Sequence, residues 1–275
     1  MPTEQTYDFV IVGSGAGGGP LAANLALEGF SVLLIDAGSD RINDHYSVPA
    51  FHGLSTEDPL YSWEFYVKHY ASRPERDPKW HKPDPRLPGA PGIFYPRASA
   101  LGGCTAHHAM ITVYPHESDW DHIAQITGDD SWRARNMRRY FDRIERAQYR
   151  DGSIILDLLE PGQAIADLLR RLTASAEGEE ARGERGAGWL TVTQADPKLL
   201  LEDIKGVLQF VAAGFHVAKR RGLDAMPGWN PNHPAVADGN REGVNVIPIS
   251  VNNGRRAGTR ERVLQAQALL RAQAE

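Results

Sequence analysis

A glycine-rich stretch near the amino terminus has the residue types and the spacing of a phosphate-binding turn. Gly13-Ser14-Gly15-Ala16-Gly17-Gly18 satisfies the pattern G-x-G-x-x-G. In this pattern the first glycine permits a tight turn, the second lets backbone approach a diphosphate, and the third lets a helix pack closely on a strand. Farther along, Asp36-Ala37-Gly38 places a carboxylate where it can accept a hydrogen bond from a ribose hydroxyl. We predict that a dinucleotide is bound by Gly13, Ser14, Gly15, Ala16, Gly18, Asp36, Ala37 and Gly38.

The sequence around this turn predicts the elements that must position it. Residues 7–12 and 31–35 are short β-branched and apolar runs, typical of strands that are buried on both faces. Residues 20–28 between them predict a helix that ends at Gly29. Strand, helix and strand within about 30 residues form a parallel βαβ unit, so we expect an α/β fold in which the helix amino terminus faces the diphosphate. Because Asp36 suits an unphosphorylated ribose, the cofactor is NAD or FAD, and this spacing does not separate the two.

A second stretch separates these cofactors by its resemblance to a known family. Residues 95–110 read Tyr-Pro-Arg-Ala-Ser-Ala-Leu-Gly-Gly-Cys-Thr-Ala-His-His-Ala-Met. This stretch resembles the flavin-lining signature of the glucose–methanol–choline (GMC) oxidoreductases, in which an Arg-Gly-x-x-Leu-Gly-Gly-Ser-Ser segment leads to an asparagine and small residues. The aromatic segment at residues 61–65 and the stretch at residues 118–145 resemble the same family. The resemblance covers nearly all of residues 6–150 and, more loosely, residues 188–262.

The resemblance implies FAD as the cofactor, a small-molecule alcohol as the substrate, and hydride transfer from the carbinol carbon to the flavin. It implies an FAD-binding, Rossmann-like βαβ domain of the glutathione-reductase type, accompanied by an incomplete α+β substrate domain. Backbone at Gly102-Gly103 can lie flat against an extended ligand, which supports the cofactor independently. By this resemblance, the residues expected to contact the flavin are Arg97, Leu101, Gly102, Gly103, His107, His108 and Met110.

Several residues of this stretch depart from the family's pattern. Ala98 stands where glycine is usual, Cys104 replaces a serine, and His108 replaces an asparagine. An asparagine amide can donate and accept at once, whereas each nitrogen of a neutral His108 can do only one of the two. His107 occupies the position through which a subset of the family tethers FAD covalently, so the alternatives there are a covalent bond or simple packing. For Cys104 we predict a small buried thiol, since no cationic partner can be assigned beside it.

The composition excludes several classes of function. The 275 residues carry 30 Lys and Arg against 35 Asp and Glu, and a net charge of −5 gives no general attraction for nucleic acid. An arginine-rich helix predicted at residues 132–148 also carries an apolar stripe, so its charges are interpreted as a solvated face. One cysteine excludes an internal disulfide, and the ten histidines lack metal-binding spacing. Since no secretory signal or membrane span is recognised, we predict a cytoplasmic protein without metal, nucleic-acid or membrane partners.

The pattern along the chain predicts how it is divided. We expect an FAD-binding domain at residues 1–150, part of a substrate or cap region at residues 151–243, and a return toward the FAD domain at residues 244–275. Residues 40–96 show no sustained period and predict a long irregular segment. Strands are predicted at residues 189–193 and 244–251, and helices at residues 199–220 and from residue 259 to the end.

The catalytic histidine pair and the second signature of the GMC family have no counterpart in these 275 residues. We therefore interpret the chain as the amino-terminal half of such an enzyme, and predict that it does not oxidise alcohols by itself. Two alternatives stay open. The first is an NAD-dependent dehydrogenase, which leaves Gly102-Gly103 unexplained, and the second is a non-catalytic nucleotide-binding fragment. The sequence names neither the alcohol nor the electron acceptor.

Overall fold

A computed structural model describes residues 6–67, 93–148, 187–194, 231–232 and 247–274, together with the helical residues 209, 212–213, 216 and 219–220. Its helices are Gly18–Leu27 (α1), Asp44–Ser47 (α2), His52–Thr56 (α3), Glu117–Thr127 (α4), Ala134–Ile144 (α5) and Thr259–Ala274 (α6). Its strands are Phe9–Val12 (β1), Val32–Ile35 (β2), Phe65–Val67 (β3), Ile93–Tyr95 (β4), Glu145–Ala147 (β5), Leu190–Gln194 (β6), Pro248–Ile249 (β7), Val251–Asn252 (β8) and Arg255–Arg256 (β9). Short 3-10 turns lie at Pro49–Phe51, Gly103–Ala106 and Asp130–Trp132.

The chain divides into two compact units, Met1–Met110 with Asn253–Glu275, and Ile111–Asn252. In the first unit β1 and β2 pair in parallel, with Val10 opposite Leu33, and α1 lies between them in the chain. The strand–helix–strand order predicted from the sequence is therefore present. Gly29 follows α1 with a φ of +93°, a backbone conformation that glycine adopts without the steric cost of a Cβ atom. Helix α6 packs along α1, so the carboxyl-terminal residues complete the same unit that the amino-terminal residues begin.

The β1–β2 pair is more exposed than its apolar sequence predicts. Val10 is 59% exposed, Val12 is 80% exposed and Ile35 is 46% exposed. The prediction that these strands are buried on both faces is therefore wrong for these residues. The reason is that the sheet has two strands within the described part of the chain, whereas parallel strands are covered on both faces only inside a larger layered sheet.

The segment after β2 is more regular than predicted. Helices α2 and α3 occupy much of residues 44–56, where the sequence predicted irregular structure, so that prediction is wrong there. The Asn43 side chain begins α2 by accepting a hydrogen bond from the Tyr46 backbone N–H at 3.2 Å. Strands β3 and β4 form an antiparallel pair, with Phe65 opposite Tyr95. The buried core of this region consists of Tyr46, Tyr61, Ala98, Ala100 and Ala106.

The second unit contains helices α4 and α5 and a three-stranded sheet in the order β5-β6-β7. The helix predicted at residues 132–148 ends at Ile144, because Glu145 begins a strand that pairs in parallel with β6. The Glu145 carboxylate is buried and accepts a hydrogen bond of 2.8 Å from the Asn232 amide, a long-range contact that local periodicity cannot show. The predicted strand near residue 190 is confirmed as β6, and residues 248–252 form β7 and β8.

Other predictions concern parts of the chain that the structure describes only in part. Most of the predicted cap region at residues 151–243 lies outside the described residues, and the predicted boundaries at residues 150 and 243 stay predictions. Within the described ranges, no helix is both long enough and apolar enough to cross a bilayer. In that same part of the chain, no three His, Cys, Asp or Glu side chains are grouped so that they could hold a metal ion.

Candidate functional site

Ser14 joins three of the regions that the sequence assigned to cofactor binding. Its side chain is fully buried at the start of the glycine turn. The Ser14 Oγ donates a hydrogen bond to Asp36 Oδ2 at 2.5 Å and accepts one from the Gly102 backbone N–H at 2.8 Å. The Ser14 backbone N–H donates to the same Asp36 oxygen at 2.6 Å. The turn after β1, the carboxyl end of β2 and the later glycine pair therefore meet at one hydroxyl group.

The Gly13–Gly18 turn and the Gly102-Gly103 pair approach each other through their backbones. A Cβ atom on Gly103 would lie 2.7 Å from the Gly15 Cα, which is closer than side chains tolerate. Gly102 and Gly103 also have φ angles of +97° and +56°, in the left-handed region that favours glycine. On Gly15, by contrast, a Cβ atom would meet only the Gly103 Cα, at an ordinary 3.9 Å. This contact leaves a surface without side chains where the two predicted segments adjoin.

The rest of the glycine turn has the geometry that the motif requires. Gly13 has a φ of +91°, and its N–H donates to the Ile35 carbonyl at 2.7 Å, which ties the turn to the end of β2. A Cβ atom on Gly18 would collide with the Gly13 carbonyl and would lie 3.1 Å from the Ile11 side chain. Ala16 is exposed at the tip of the turn. Helix α1 then begins at Gly18 without a side-chain cap. In its first turn the Gly19 N–H donates to the Gly15 carbonyl at 3.1 Å and Pro20 has no N–H, so an anion there would meet the amides of the glycine turn and the positive end of the helix dipole.

Asp36 is held by the chain on both carboxylate oxygens. Oδ2 accepts from Ser14, and Oδ1 accepts from the Gly38 N–H at 2.7 Å. Burial opposes ionisation, but the hydrogen bonds from Ser14 and Gly38 outweigh it and hold the pKa of Asp36 below its ordinary value. Because a carboxylate oxygen has two lone pairs, Oδ1 can accept a further hydrogen bond. A Cβ atom on Gly38 would collide with the backbone of Ala100, so this end of the site also depends on glycine.

The Gly103–Ala106 turn presents its residues differently from the sequence prediction. Leu101, just before it, donates its N–H to the Ser39 carbonyl at 3.1 Å, which fixes the segment against the end of β2. Ala106 is fully buried, whereas Cys104 is exposed, so the prediction of a buried thiol is wrong. In a 3-10 turn with three residues per turn, the inward position taken by Ala106 leaves Cys104 on the outer side.

His108 is fixed in one neutral tautomer. Its Nδ1 accepts a hydrogen bond from the Met110 backbone N–H at 2.7 Å, so the proton of the neutral ring lies on Nε2. Burial, the nearby Arg256 charge and His107 lower the pKa of His108 to about 4. Met110 is itself buried and has a φ of +63°, a left-handed conformation that non-glycine residues rarely adopt. The Nε2–H group of His108 is therefore a neutral hydrogen-bond donor near pH 7.

His107 has a buried ring nitrogen that the protein does not satisfy. Its Nε2 is inaccessible to water and has no hydrogen-bond partner among the described residues. Burial, followed by the charges of Arg256 and Arg97, lowers the pKa of His107, so the ring is neutral near pH 7. The His107 carbonyl accepts from the Thr56 hydroxyl at 3.2 Å, which anchors the backbone to α3. A buried polar atom without a partner marks a place where a ligand atom could supply the missing hydrogen bond.

Arg97 lies at the exposed rim of this segment. Its guanidinium carbon stands 4.2 Å from the centroid of the Tyr95 ring, and its Nη1 donates to the Pro96 carbonyl at 2.9 Å. The Arg97 carbonyl accepts from the Trp63 N–H at 2.9 Å, which continues the pairing of β3 with β4. Of the residues expected to contact a flavin, Arg97 is thus the one whose charged group is most clearly at the surface.

Sequence reasoning missed Arg256, which the fold brings to the same segment. Its side chain is 3% exposed, and its Nη1 donates to the His108 carbonyl at 2.6 Å and to the Thr105 carbonyl at 3.3 Å. Nothing in the local sequence distinguishes it from Arg255, which is exposed. The distinguishing contacts join residues about 150 positions apart, and no local pattern carries that information.

These features together fit an extended, anionic ligand that ends in a polar ring system. The glycine turn and the α1 amino terminus suit a diphosphate, and Asp36 suits a hydroxyl group. The unpartnered nitrogens of His107 and Arg256 lie at the other end of the same arrangement. The structure thus brings together the glycine turn, Asp36 and residues 101–108, and leaves the Arg97 guanidinium at the rim.

Comparison with known proteins identifies relatives of this chain. No model of a known protein family matches the sequence. Oxygen-dependent choline dehydrogenase from Brucella ovis is 30% identical over 142 residues, which are 51% of this chain and 23% of that protein. Pyridoxine 4-oxidase from Mesorbium loti superimposes with a TM-score of 0.60 and 21% identity, over 94% of this chain and 39% of its own. An FAD-dependent oxidoreductase from Chaetomium thermophilum gives a TM-score of 0.58 and 22% identity, over 95% and 37%.

The match therefore spans about a quarter of the length of the curated relative and about two fifths of the length of the two solved structures. The two solved structures share the fold of this chain. The resemblance to the GMC oxidoreductases is confirmed by these relatives.

Proposed function

We propose that this chain, a relative of the GMC oxidoreductases, binds FAD and serves the oxidation of the CH–OH group of a small alcohol. The observation that carries the proposal is the hydrogen bond of 2.8 Å from the Gly102 N–H to Ser14 Oγ, with Gly15 against Gly103 beside it. This hydrogen bond brings the Gly13–Gly18 turn next to residues 102–103, which supports the proposal that a single extended cofactor lies along both. The names of the choline dehydrogenase relatives and of the FAD-dependent structural neighbour support the same cofactor and chemistry.

In this proposal the nucleotide end of FAD is held by backbone and one carboxylate. Amides of the Gly13–Gly18 turn and the α1 amino terminus bind the diphosphate, where the absence of side chains allows close approach. Asp36 accepts from the ribose through its remaining lone pair on Oδ1. The lowered pKa of Asp36 keeps that oxygen ionised near pH 7, so it acts as an acceptor.

The ring end is proposed to lie along residues 101–110. When bound there, FAD supplies the group that accepts a hydride from the alcohol carbon. The chain's own contribution is to present the neutral His108 Nε2–H as a donor and the buried His107 Nε2 as a second polar contact. Gly102 and Gly103 keep the backbone flat on that side.

For His107 the choice between a covalent bond to FAD and simple packing is open to a direct measurement. The neutral ring that its lowered pKa provides is compatible with either alternative. We expect the mass of the acid-denatured protein to decide. A mass increase of one FAD less the two hydrogens lost when the bond forms, absent from a His107→Ala variant, establishes the covalent bond, whereas complete release of flavin by acid excludes it.

The alcohol oxidation belongs to the whole protein, since the chain spans about two fifths of the solved relatives. Choline, named in the curated relatives, is the first alcohol to assay. We propose that the 275 residues alone bind FAD without turning over an alcohol, because the base expected by resemblance is not among them. Turnover of any alcohol by these 275 residues alone would contradict that part of the proposal.

The test of cofactor binding uses a matched pair of glycine variants. In Gly15→Ala the new Cβ atom meets only ordinary contacts in the protein but stands where a diphosphate must approach. In Gly17→Ala the Cβ atom meets nothing within 4 Å, so this variant is the control. We expect wild type and Gly17→Ala to quench FAD fluorescence with similar dissociation constants, and Gly15→Ala to bind at least tenfold more weakly while keeping its fold by circular dichroism. Binding of NAD in place of FAD would instead support the dehydrogenase alternative.

A further inference from the structure

Arg256 is a buried cation that has no carboxylate partner of its own. It is 3% exposed, and none of the ion pairs between described residues includes it. The neighbouring Arg260, in contrast, is paired with Asp40. Burial of an unpaired charge is costly, so a guanidinium in this position indicates either a purely structural anchor or a site that meets negative charge.

The contacts of Arg256 aim its charge at the flavin-lining segment. Its Nε donates to the Tyr46 carbonyl at 3.0 Å, and its Nη1 donates to the carbonyls of Thr105 and His108. Three carbonyl groups, one in α2 and two in residues 105–108, therefore accept hydrogen bonds along the edge of the guanidinium. The remaining nitrogen, Nη2, is buried and has no hydrogen-bond partner within the part of the chain that the structure describes. Part of the hydrogen-bonding capacity of this charged group is therefore not used by the protein.

The other charged groups near Arg256 do not cancel its effect on the two histidines. The Glu261 carboxylate is hydrogen-bonded to other groups, because its Oε1 accepts from the Tyr46 hydroxyl at 2.7 Å and from Arg260 at 3.3 Å. Burial lowers the pKa of Arg256, and the Glu261 charge opposes this by raising that pKa without forming an ion pair with Arg256. The coulombic influences on His107 come from Arg256 and Arg97, and those on His108 come from Arg256 and His107; all of them lower the pKa of the ring they act on. The segment from residue 105 to residue 108 therefore experiences a net positive field from Arg256.

We propose that Arg256 supplies the buried positive charge that stabilises negative charge on the ring of the bound cofactor, and so favours its reduced form. The inference rests on the proposed binding of FAD, because it assigns a role toward that ring. A charge near the ring nitrogens is one of the means by which a protein tunes a flavin. Arg256 acts here as an electrostatic and positioning residue through the backbone of residues 105–108.

The test uses sulfite, which adds to the ring of an oxidised flavin and gives an anionic product with lower absorbance. Arg256→Gln removes the charge and keeps a polar side chain, Arg256→Lys keeps the charge, and Arg255→Gln removes an equal charge from the exposed neighbour. The FAD-loaded protein and each variant are titrated with sulfite at one pH and ionic strength. We expect the sulfite dissociation constant to rise at least tenfold in Arg256→Gln and to stay within threefold of wild type in the other two variants.

A second measurement is independent of FAD. Imidazole resonances of the cofactor-free wild type are titrated by NMR, and the pKa of His108 is expected near 4 and to move toward the ordinary value in Arg256→Gln but not in Arg255→Gln. A wild-type His108 that titrates at the ordinary value overturns the inference even where Arg256→Gln does not fold.

The outcomes separate this inference from the proposed function. A wild-type chain that binds no FAD removes both. A wild-type chain that binds FAD, together with an Arg256→Gln variant whose sulfite dissociation constant is unchanged, overturns the inference alone. An equal rise in Arg256→Gln and Arg256→Lys also overturns it, because the effect would then follow the shape of the guanidinium and not its charge.

Discussion

The nucleotide end and the ring end of the candidate site differ in how completely the protein satisfies its own polar groups. At the nucleotide end, Ser14, Asp36 and Gly38 form a closed set of hydrogen bonds between 2.5 and 2.7 Å. At the ring end, the buried nitrogens His107 Nε2 and Arg256 Nη2 have no partner. In the first region the buried side chains are thus satisfied by the protein, whereas the second region leaves two buried side-chain nitrogens that a ligand could use.

The two regions also differ in whether mainly backbone or mainly side chains form them. The nucleotide end is built by a short stretch of chain, in which glycines give access and one serine fixes the geometry. The ring end is assembled from α2, the 103–108 segment and β9, which are far apart in the sequence. We therefore expect the replacement of a glycine at the junction of the two regions to affect both regions. The replacement of a polar side chain within one region is expected to affect that region alone.

The largest effect is expected where the two regions touch. In Gly103→Ala the new Cβ atom would lie 2.7 Å from the Gly15 Cα, so we expect a loss of about 3 kcal/mol in the free energy of unfolding, from the clash together with the left-handed backbone. Gly128→Ala is the control, because Gly128 has a similar φ of +69° with nothing within 4 Å of its Cβ position. The control should lose only about 1 kcal/mol in urea unfolding. Equal losses in the two variants would show that Gly15 and Gly103 are not in contact.

The next effect concerns the serine that fixes the nucleotide end. Ser14→Ala leaves the buried Gly102 N–H without a partner, so we expect it to lower the free energy of unfolding by about 2 kcal/mol and to weaken FAD binding. The chain contains an exposed counterpart, because Ser31 Oγ donates to Asp8 Oδ2 at 2.7 Å. Ser31→Ala should cost only about 0.5 kcal/mol, since water can replace the lost hydrogen bond. Similar losses in both variants, measured by urea unfolding, would contradict the account of Ser14 as a buried junction.

A smaller, pH-dependent effect is expected from the ring end. Because the pKa of His108 is lowered to about 4 in the folded chain, the unfolded chain takes up a proton first as the pH falls below the ordinary value. Stability attributable to His108 is therefore fully present above pH 6.5 and declines as the pH falls toward 4, by about 2 kcal/mol between pH 6.5 and 4.5. We expect His108→Asn to lose less stability than wild type over that interval. His107 contributes with the same sign and remains in the variant.

The matched control for this prediction is His52→Asn, which replaces an exposed histidine of the same unit. It tests whether the exchange of a histidine of this unit for asparagine by itself changes how the unfolding free energy depends on pH between 6.5 and 4.5. A His108→Asn variant that follows wild type would show that His108 is not held neutral by the fold.

The contrast between the two regions also explains what the sequence could predict. Local patterns predict the βαβ order, strand β6 and helix α6. The resemblance, which implies one FAD along both segments, predicts that the glycine turn lies near Gly102-Gly103. Arg256 could not be predicted, because its role depends on carbonyl groups about 150 residues away. The end of α5 at Ile144 likewise depends on the pairing of Glu145 with Asn232, 87 residues distant, which overrides the helical period. Cys104 was placed wrongly because burial within a 3-10 turn depends on which residue faces the core.

Exposure of the first two strands had a different cause. The apolar residues Val10, Val12 and Ile35 predict burial from composition alone. Their actual exposure depends on which layers cover the β1–β2 pair, and a strand's own sequence does not carry that information.

The proposed FAD contacts both regions at once. Backbone amide NMR can show this in the isotopically labelled chain, titrated in parallel with FAD and with ADP, which shares only the nucleotide end. We expect ADP to shift the amides of residues 13–18 and 36–38, and FAD to shift these together with the amides of residues 101–108. If FAD shifts the first set and leaves residues 101–108 where ADP leaves them, the two regions do not share a cofactor and the account is contradicted.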